Sequence, residues 1–206
     1  MRTETIVKEI FEFDELDDSA KEKARDWYRG CIDTYDFDGP VEYMKEVCKL
    51  IGVDLKTDAY GHRPALYWSG FSSQGDGACF EGSYSYTKGS VKAIQAYAPH
   101  DDTLRRIARE LQKLQARYFY SLSALVVHSG RYCHAGCTRV EVTDRRDEYR
   151  GIDAVDENEL IELLRDLMHW FYKQLNQEND WLYSAECVDE NIRCNEYEFD
   201  GLGNRF

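Results

Sequence analysis

Apolar residues recur along this chain at two spacings, and the switches between them mark the elements. Thr5, Val7, Phe11 and Phe13 alternate with Lys8 and Glu12, while Ile6 and Ile10 make the second face apolar too. That pattern predicts a strand over Thr5 to Phe13, partly covered on both faces. Leu16-Asp17-Asp18-Ser19 then supplies capping side chains, and Ala20, Ala24, Trp27, Tyr28 and Cys31 follow at helical spacing. The stretch from Asp33 to Gly39 breaks this helix, and Pro40 suits the first turn of a second one. The second helix buries Val41, Met44, Val47, Cys48 and Ile51 and stops at Gly52. From 53 to 88 the period becomes strand-like, with strands at Leu66 to Trp68 and from Cys79-Phe80 through Tyr84 and Tyr86. Pro99-His100-Asp101-Asp102 opens a helix with the stripe Leu104, Ile107, Ala108, Leu111 and Leu114. The strongest strand runs from Tyr118 to His128, followed by a loop over Ser129 to Gly136 and a partner strand at Thr138 to Val142. A long helix from about Val155 to Leu175 aligns Leu160, Leu164, Leu167, Met168, Phe171 and Leu175. A shorter helical piece over 180–190 and a last strand at Glu196 to Phe199 complete the order. Residues 200–206, with Gly201-Leu202-Gly203, read as a frayed tail.

This order predicts one α+β domain over residues 1–206, an antiparallel sheet of about five or six strands with helices packed on it. With 206 residues, 43% apolar and 14% aromatic, the chain can bury a core, which excludes a disordered protein. No apolar run approaches the roughly 18 residues of a membrane span, and the opening MRTETIVKEIFEF lacks the apolar block of a signal peptide. Seven cysteines, an odd number, suit free thiols in a reducing compartment, so the expected location is cytoplasmic. The formal net charge is −13, with acidic flanks and a middle, residues 51–150, that carries 14 basic against 11 acidic groups. Such a surface argues against direct nucleic-acid binding, which depends on Lys and Arg displacing counterions. It leaves a basic protein partner, or mimicry of nucleic-acid charge, open beside plain solubility.

Three constellations could carry chemistry. The glycine-rich stretch Trp68 to Gly82 holds Trp68, Phe71, Ser72, Gln74, Asp76 and Glu81 among glycines. No Walker lysine follows it and the dinucleotide-binding spacing is missing, so ordinary hairpin turn chemistry competes with a partner or ligand site. His128, Cys133, His134 and Cys137 offer imidazole and thiol ligands, but their spacing matches no zinc finger or ribbon. Buried thiols packing as small apolar groups account for them equally, and no metal is expected. Arg105, Arg109, Lys113 and Arg117 recur every four residues opposite the apolar stripe of their helix. Like charges at that spacing call for an anionic partner, either internal or external. His62 and Cys79 could make a cysteine–histidine pair only if the fold joined them, and no hydrolase or metalloprotease signature is present.

Phe13-Asp14-Glu15-Leu16 followed by Ala20 to Tyr28 resembles the opening of small proteins encoded by tailed bacteriophages and prophages. Ser69-Gly70-Phe71, Ser73 to Ala78 and Phe80-Glu81-Gly82 are similar to that family's most characteristic segment, and His134-x-Gly136-Cys137 and Asn195 to Phe199 extend the likeness over nearly the whole chain. Members are often labelled as the antitoxin of a toxin–antitoxin stability system. The resemblance implies a phage-encoded, non-enzymatic acidic protein that binds and neutralises a host defence protein or a toxin in the bacterial cytoplasm. No cofactor is expected and the oligomeric state stays open. The alternative is a small enzyme or a metal- or nucleotide-binding protein using the glycine-rich hairpin 69–82; a passive assembly factor is a third.

Overall fold

In the computed structural model, Arg2 and residues 8–33, 37–58, 60–61, 63–146 and 151–206 are described. The chain divides into two compact units, one made of residues 1–38 and 177–206 and one of residues 39–176. The fold is α+β with antiparallel sheets, as the periodicity predicts.

The terminal unit is closed by its chain ends. Strand β1 (Phe11–Glu12) pairs antiparallel with β8 (Glu198–Phe199), Phe11 opposite Phe199 and Glu12 opposite Glu198. Positions 5–7 of the predicted first strand lie outside the described residues. Helix α1 (Asp18–Arg29) begins at Asp17, whose carboxylate accepts from the Ala20 N–H at 2.8 Å. Helix α6 (Ala185–Cys194) begins at Ser184 in the same way. The core joins Phe13, Leu16, Ala20 and Ala24 to Val188, Ile192 and Phe199, with Trp27, Tyr28 and Tyr197 packed against it. The Arg25 fork ties α1 to α6 by donating to Asp189 at 2.6 and 2.8 Å. The predicted frayed tail is instead folded back. Asp200 accepts from the Leu202 and Asn204 N–H groups, each at 2.9 Å, and the Phe206 N–H donates to the Glu198 carbonyl. The Arg205 guanidinium lies 4.8 Å from the Tyr197 ring centre, so a carboxylate and an aromatic face order residues that composition alone reads as loose.

The central unit opens with α2 (Asp38–Ile51), which carries Pro40 in its first turn and ends at Gly52 with φ +100°. Strands β2 (Val53–Leu55), β3 (Leu66–Ser69), β4 (Gly77–Phe80) and β5 (Gly82–Ser85) follow, then helices α3 (Ser90–Tyr97) and α4 (Asp102–Arg117). Strands β6 (Leu122–His128) and β7 (Thr138–Asp144) precede α5 (Ala154–Leu182), whose last residues belong to the terminal unit. The single predicted sheet is corrected. Among the described residues one four-stranded ladder runs β2-β5-β6-β7, β3 and β4 form a separate two-stranded one, and β1 and β8 form another. The chain changes ladder at Glu81: Phe80 lies opposite Leu66, whereas Gly82 lies opposite Leu55 and Val126. Leu122, Ala124 and Val126 face the core from β6, and Leu104, Ile107, Leu111 and Leu114 of α4 are buried with them. The buried Gln115 side chain spans this interior, donating to the Leu122 carbonyl at 2.9 Å and accepting from its N–H at 3.2 Å. No helix of the described residues is long and apolar enough to cross a membrane.

Candidate functional site

The β3–β4 hairpin and the loop at 129–137 come together within the central unit. The hairpin register runs from Leu66 opposite Phe80 to Ser69 opposite Gly77, leaving residues 70–76 as its tip. Asp76 organises that tip: its carboxylate accepts from the Ser72 N–H at 3.0 Å and the Ser73 N–H at 2.6 Å. It also occupies the space beside Gly70 (φ +51°), where a Cβ would lie 2.3 Å from its oxygens. Below the tip, Phe71 stacks on Tyr172 with centroids 5.8 Å apart, and the Tyr172 hydroxyl donates to the Gly70 carbonyl. Trp68 meets Phe171 edge-on at 6.3 Å.

The neighbouring loop is seated by close approach. A Cβ on Gly77 would lie 2.6 Å from Cβ of His134, and one on Gly75 would lie 3.3 Å from the Tyr132 ring. His128 stacks on Tyr67 at 4.9 Å and its Nε2 lies 2.8 Å from the Tyr132 carbonyl. A single turn of 3-10 helix over Ala135–Cys137, with His134 at its N-cap, returns Cys137 so that its Sγ lies 3.3 Å from Nε2 of His134.

Four of the six hairpin residues named from sequence make contacts within the protein: Glu81 is buried, and Trp68, Phe71 and Asp76 are half-buried. Glu81 is 8% exposed; it accepts from Lys56 Nζ at 2.9 Å, the Tyr67 hydroxyl at 3.2 Å and the His128 N–H at 3.2 Å. The Lys56 hydrogen bond, helped by the His128 N–H against the opposing effect of burial, holds its carboxyl below the usual glutamate value of 4.5. Asp76 builds the turn, and Trp68 and Phe71 pack on α5. Ser72 and Gln74 remain exposed on the tip, beside Ser73. Sequence reasoning passed over Tyr132, which is 56% exposed next to the tip; an aromatic between Arg131 and Cys133 in a polar loop is the signal it left.

The basic ridge is drawn into the molecule's own ion pairs. Arg105 pairs with Asp102, Lys113 with Glu110, and Arg117 with both Asp156 and Glu159. Arg106 reaches Asp166 at 2.7 Å, while Arg109 is exposed. These ion-pair partners come from α4 itself and from the N-terminal half of α5. At the end of the ridge a polar cleft of about 460 Å³ is lined by Arg117, Tyr118, Asp144, Arg146, Asp153 and Asp156, among others.

Among the described residues, no group of three or more His, Cys, Asp and Glu side chains is gathered as a metal ion needs. Cys133, His134 and Cys137 lie on the loop and His128 ends β6, with His128 turned to the Tyr132 carbonyl and His134 to Cys137. His62 lies outside the described residues, so the pairing with Cys79 lies outside them too. Cys79 is buried in β4, and burial, together with the nearby Cys133 and Cys137 thiols, pushes its thiol up to about 12.

An α+β unit carrying a glycine-rich hairpin against a histidine- and cysteine-bearing loop defines the class. The chain belongs to the family described as Domain of unknown function (DUF8835), whose model matches residues 37–185 and so takes in the whole central unit. No curated protein and no solved structure matches the chain.

Proposed function

We propose that this chain is a non-enzymatic binding protein, encoded by a phage, that captures and neutralises a host defence protein or a toxin in the bacterial cytoplasm. Its contact surface is the hairpin tip at Ser72, Ser73 and Gln74 together with Tyr132 of the adjoining loop. One observation carries this reading: the Ser72 and Ser73 N–H groups are already taken by Asp76. A glycine-rich loop that cradled a phosphate would hold such amides toward the ligand. Here the chain's own carboxylate fills that position, and the tip offers side chains instead. Those side chains stand on a braced backbone, which lowers the ordering cost of association. An exposed tyrosine flanked by hydrogen-bonding groups is a frequent composition of interface hot spots. The net charge of −13 favours encounter with a basic partner.

The test begins with tagged protein recovered from infected cells and a complex rebuilt from the purified components. Gln74→Ala combined with Tyr132→Ala is expected to weaken that complex at least about tenfold, some 1.4 kcal/mol, with an unchanged melting temperature. Asp76→Ala belongs in a different class: it removes the acceptor of two amides, so it is expected to disorder the tip as well as weaken binding. Unaltered affinity in the double variant places the contact surface elsewhere. A small molecule that copurifies in stoichiometric amount, without a protein partner, favours the enzyme or nucleotide-binding alternative.

A further inference from the structure

The His134–Cys137 contact is built with more care than chain closure requires. A one-turn 3-10 helix, Ala135–Cys137, brings the Cys137 sulfur back to 3.3 Å from Nε2 of the residue that caps it. Two glycines leave room for that histidine. At Gly77, on the hairpin, a Cβ would fall 2.6 Å from Cβ of His134; at Gly136 it would fall 3.1 Å from the imidazole edge. Tyr132 covers the ring at 6.3 Å between centroids and 26° between planes. His134 is thus seated against the hairpin at its Cα and Cβ and flanked at its ring by Gly136 and Tyr132, while Cys137 is half-buried. Cys48, Cys79 and Cys187 are buried, and burial pushes Cys48 and Cys79 upward in pKa, while Cys133 on the same loop is half-buried as Cys137 is. Cys31 and Cys194 are exposed, and the Cys31 thiol faces the Trp27 carbonyl, which cannot take its proton.

A cysteine with a fixed imidazole at hydrogen-bond distance is the arrangement that activates a thiol as a nucleophile. We propose that Cys137, with His134 as its base, is a site of covalent modification at which the protein reacts with small hydroperoxides and comparable soft electrophiles. As Sγ attacks the terminal oxygen of a hydroperoxide, the S–O bond forms and the O–O bond breaks. Nε2 takes the thiol proton and passes it to the departing alkoxide, which leaves as an alcohol, or as water from hydrogen peroxide. Cysteine is oxidised to sulfenic acid and the peroxide is reduced, with no other reactant. This inference stands independently of the partner-binding reading.

The experiment uses the full-length reduced protein, hydrogen peroxide as the oxidant in one arm and iodoacetamide in the other. Modification at each cysteine is followed by mass spectrometry, with a carbon-nucleophile probe trapping the sulfenic acid. Cys31 and Cys194 serve as internal exposed references in the same molecule. Cys137 is expected to react at least about tenfold faster than either, in keeping with the usual gain from a positioned base. His134→Ala keeps the Cβ that packs on Gly77 and is expected to bring Cys137 down to the reference rate. Gly136→Ala retains the imidazole but crowds its edge, and is expected to lower the Cys137 rate while leaving the references unchanged. The wild-type ratio alone decides the matter if a variant fails to fold. A Cys137 rate no faster than that of Cys31 and Cys194, or a ratio that survives in folded His134→Ala, overturns the proposal.

Discussion

On the Glu81 carboxylate, donors from three places in the central unit meet: Lys56 beyond β2, Tyr67 on β3 and the His128 backbone on β6. They do not contribute equally. The Lys56 side chain is 65% exposed, so its ion pair is screened and adds little. The Tyr67 hydroxyl and the His128 N–H are the donors that lose water on folding. Glu81→Ala leaves both without an acceptor and is expected to cost about 2 kcal/mol in urea unfolding. Because the folded carboxyl titrates below its usual value of 4.5, its stabilisation is complete above that pH and is lost as the pH falls through the lower folded value. The unfolding midpoint of the wild type should therefore drop between about pH 4.5 and the acid end, and Glu81→Gln should have a shallower acid limb. Equal acid limbs in the two proteins would show that Glu81 does not supply this term. Asp14, Glu22 and Asp200 are also held low by their hydrogen-bond donors and add to the slope in the same direction.

Between α4 and β6 the chain turns through two adjacent left-handed residues, Phe119 at φ +52° and Tyr120 at φ +66°. Each costs roughly 1 kcal/mol relative to glycine there. Their side chains differ: Phe119 is 71% exposed beneath the Arg146 guanidinium, whereas Tyr120 packs on Tyr86 with centroids 4.4 Å apart. Phe119→Gly exchanges relief of strain for a looser unfolded chain and should stay within about 0.5 kcal/mol of wild type. Tyr120→Gly also forfeits the ring contact and should be at least about 1 kcal/mol less stable than Phe119→Gly in the same denaturant series. Equal stabilities would mean that the Tyr86 contact contributes nothing. This turn also explains why the predicted strand from Tyr118 begins only at Leu122. The helices α1, α2, α4 and α5 were legible because each carries an apolar stripe several turns long. Helix α3 was not, since only Ser90 and Ile94 of its eight residues are buried, too few to set a period. Three-residue β2 is shorter than two repeats of strand alternation. At the site, the crowding of glycines around one loop was visible in the composition. Its inward use was not, because Glu81 and Asp76 are spent on donors that lie far away in sequence or on the backbone.

Phe11-Glu12-Phe13-Asp14 and Tyr197-Glu198-Phe199-Asp200 are alike in sequence, and they fall on the two strands that pair to close the terminal unit. Phe13 and Phe199 then meet edge-on in its core at 6.5 Å. Removing residues 199–206 takes away that ring, the β8 pairing and the Asp200 turn together. Amides of α1 and α6 are expected to lose most of their hydrogen-exchange protection in the truncated protein, while those of β5, β6 and β7 keep theirs. Protection retained in α1 would show that the helices hold without the closure. Pairing of residue 11 with residue 199 also imposes an order in time. A ribosome adds roughly 5–20 residues per second, so α1 is finished many seconds before its partners exist, and it waits with Phe13 and Trp27 uncovered. The stretch from 39 to 176 can settle during that wait, whereas the unit built from both ends can assemble only after residue 199 has cleared the exit tunnel. Within that unit the early segment is thus the part that waits longest for its packing partners.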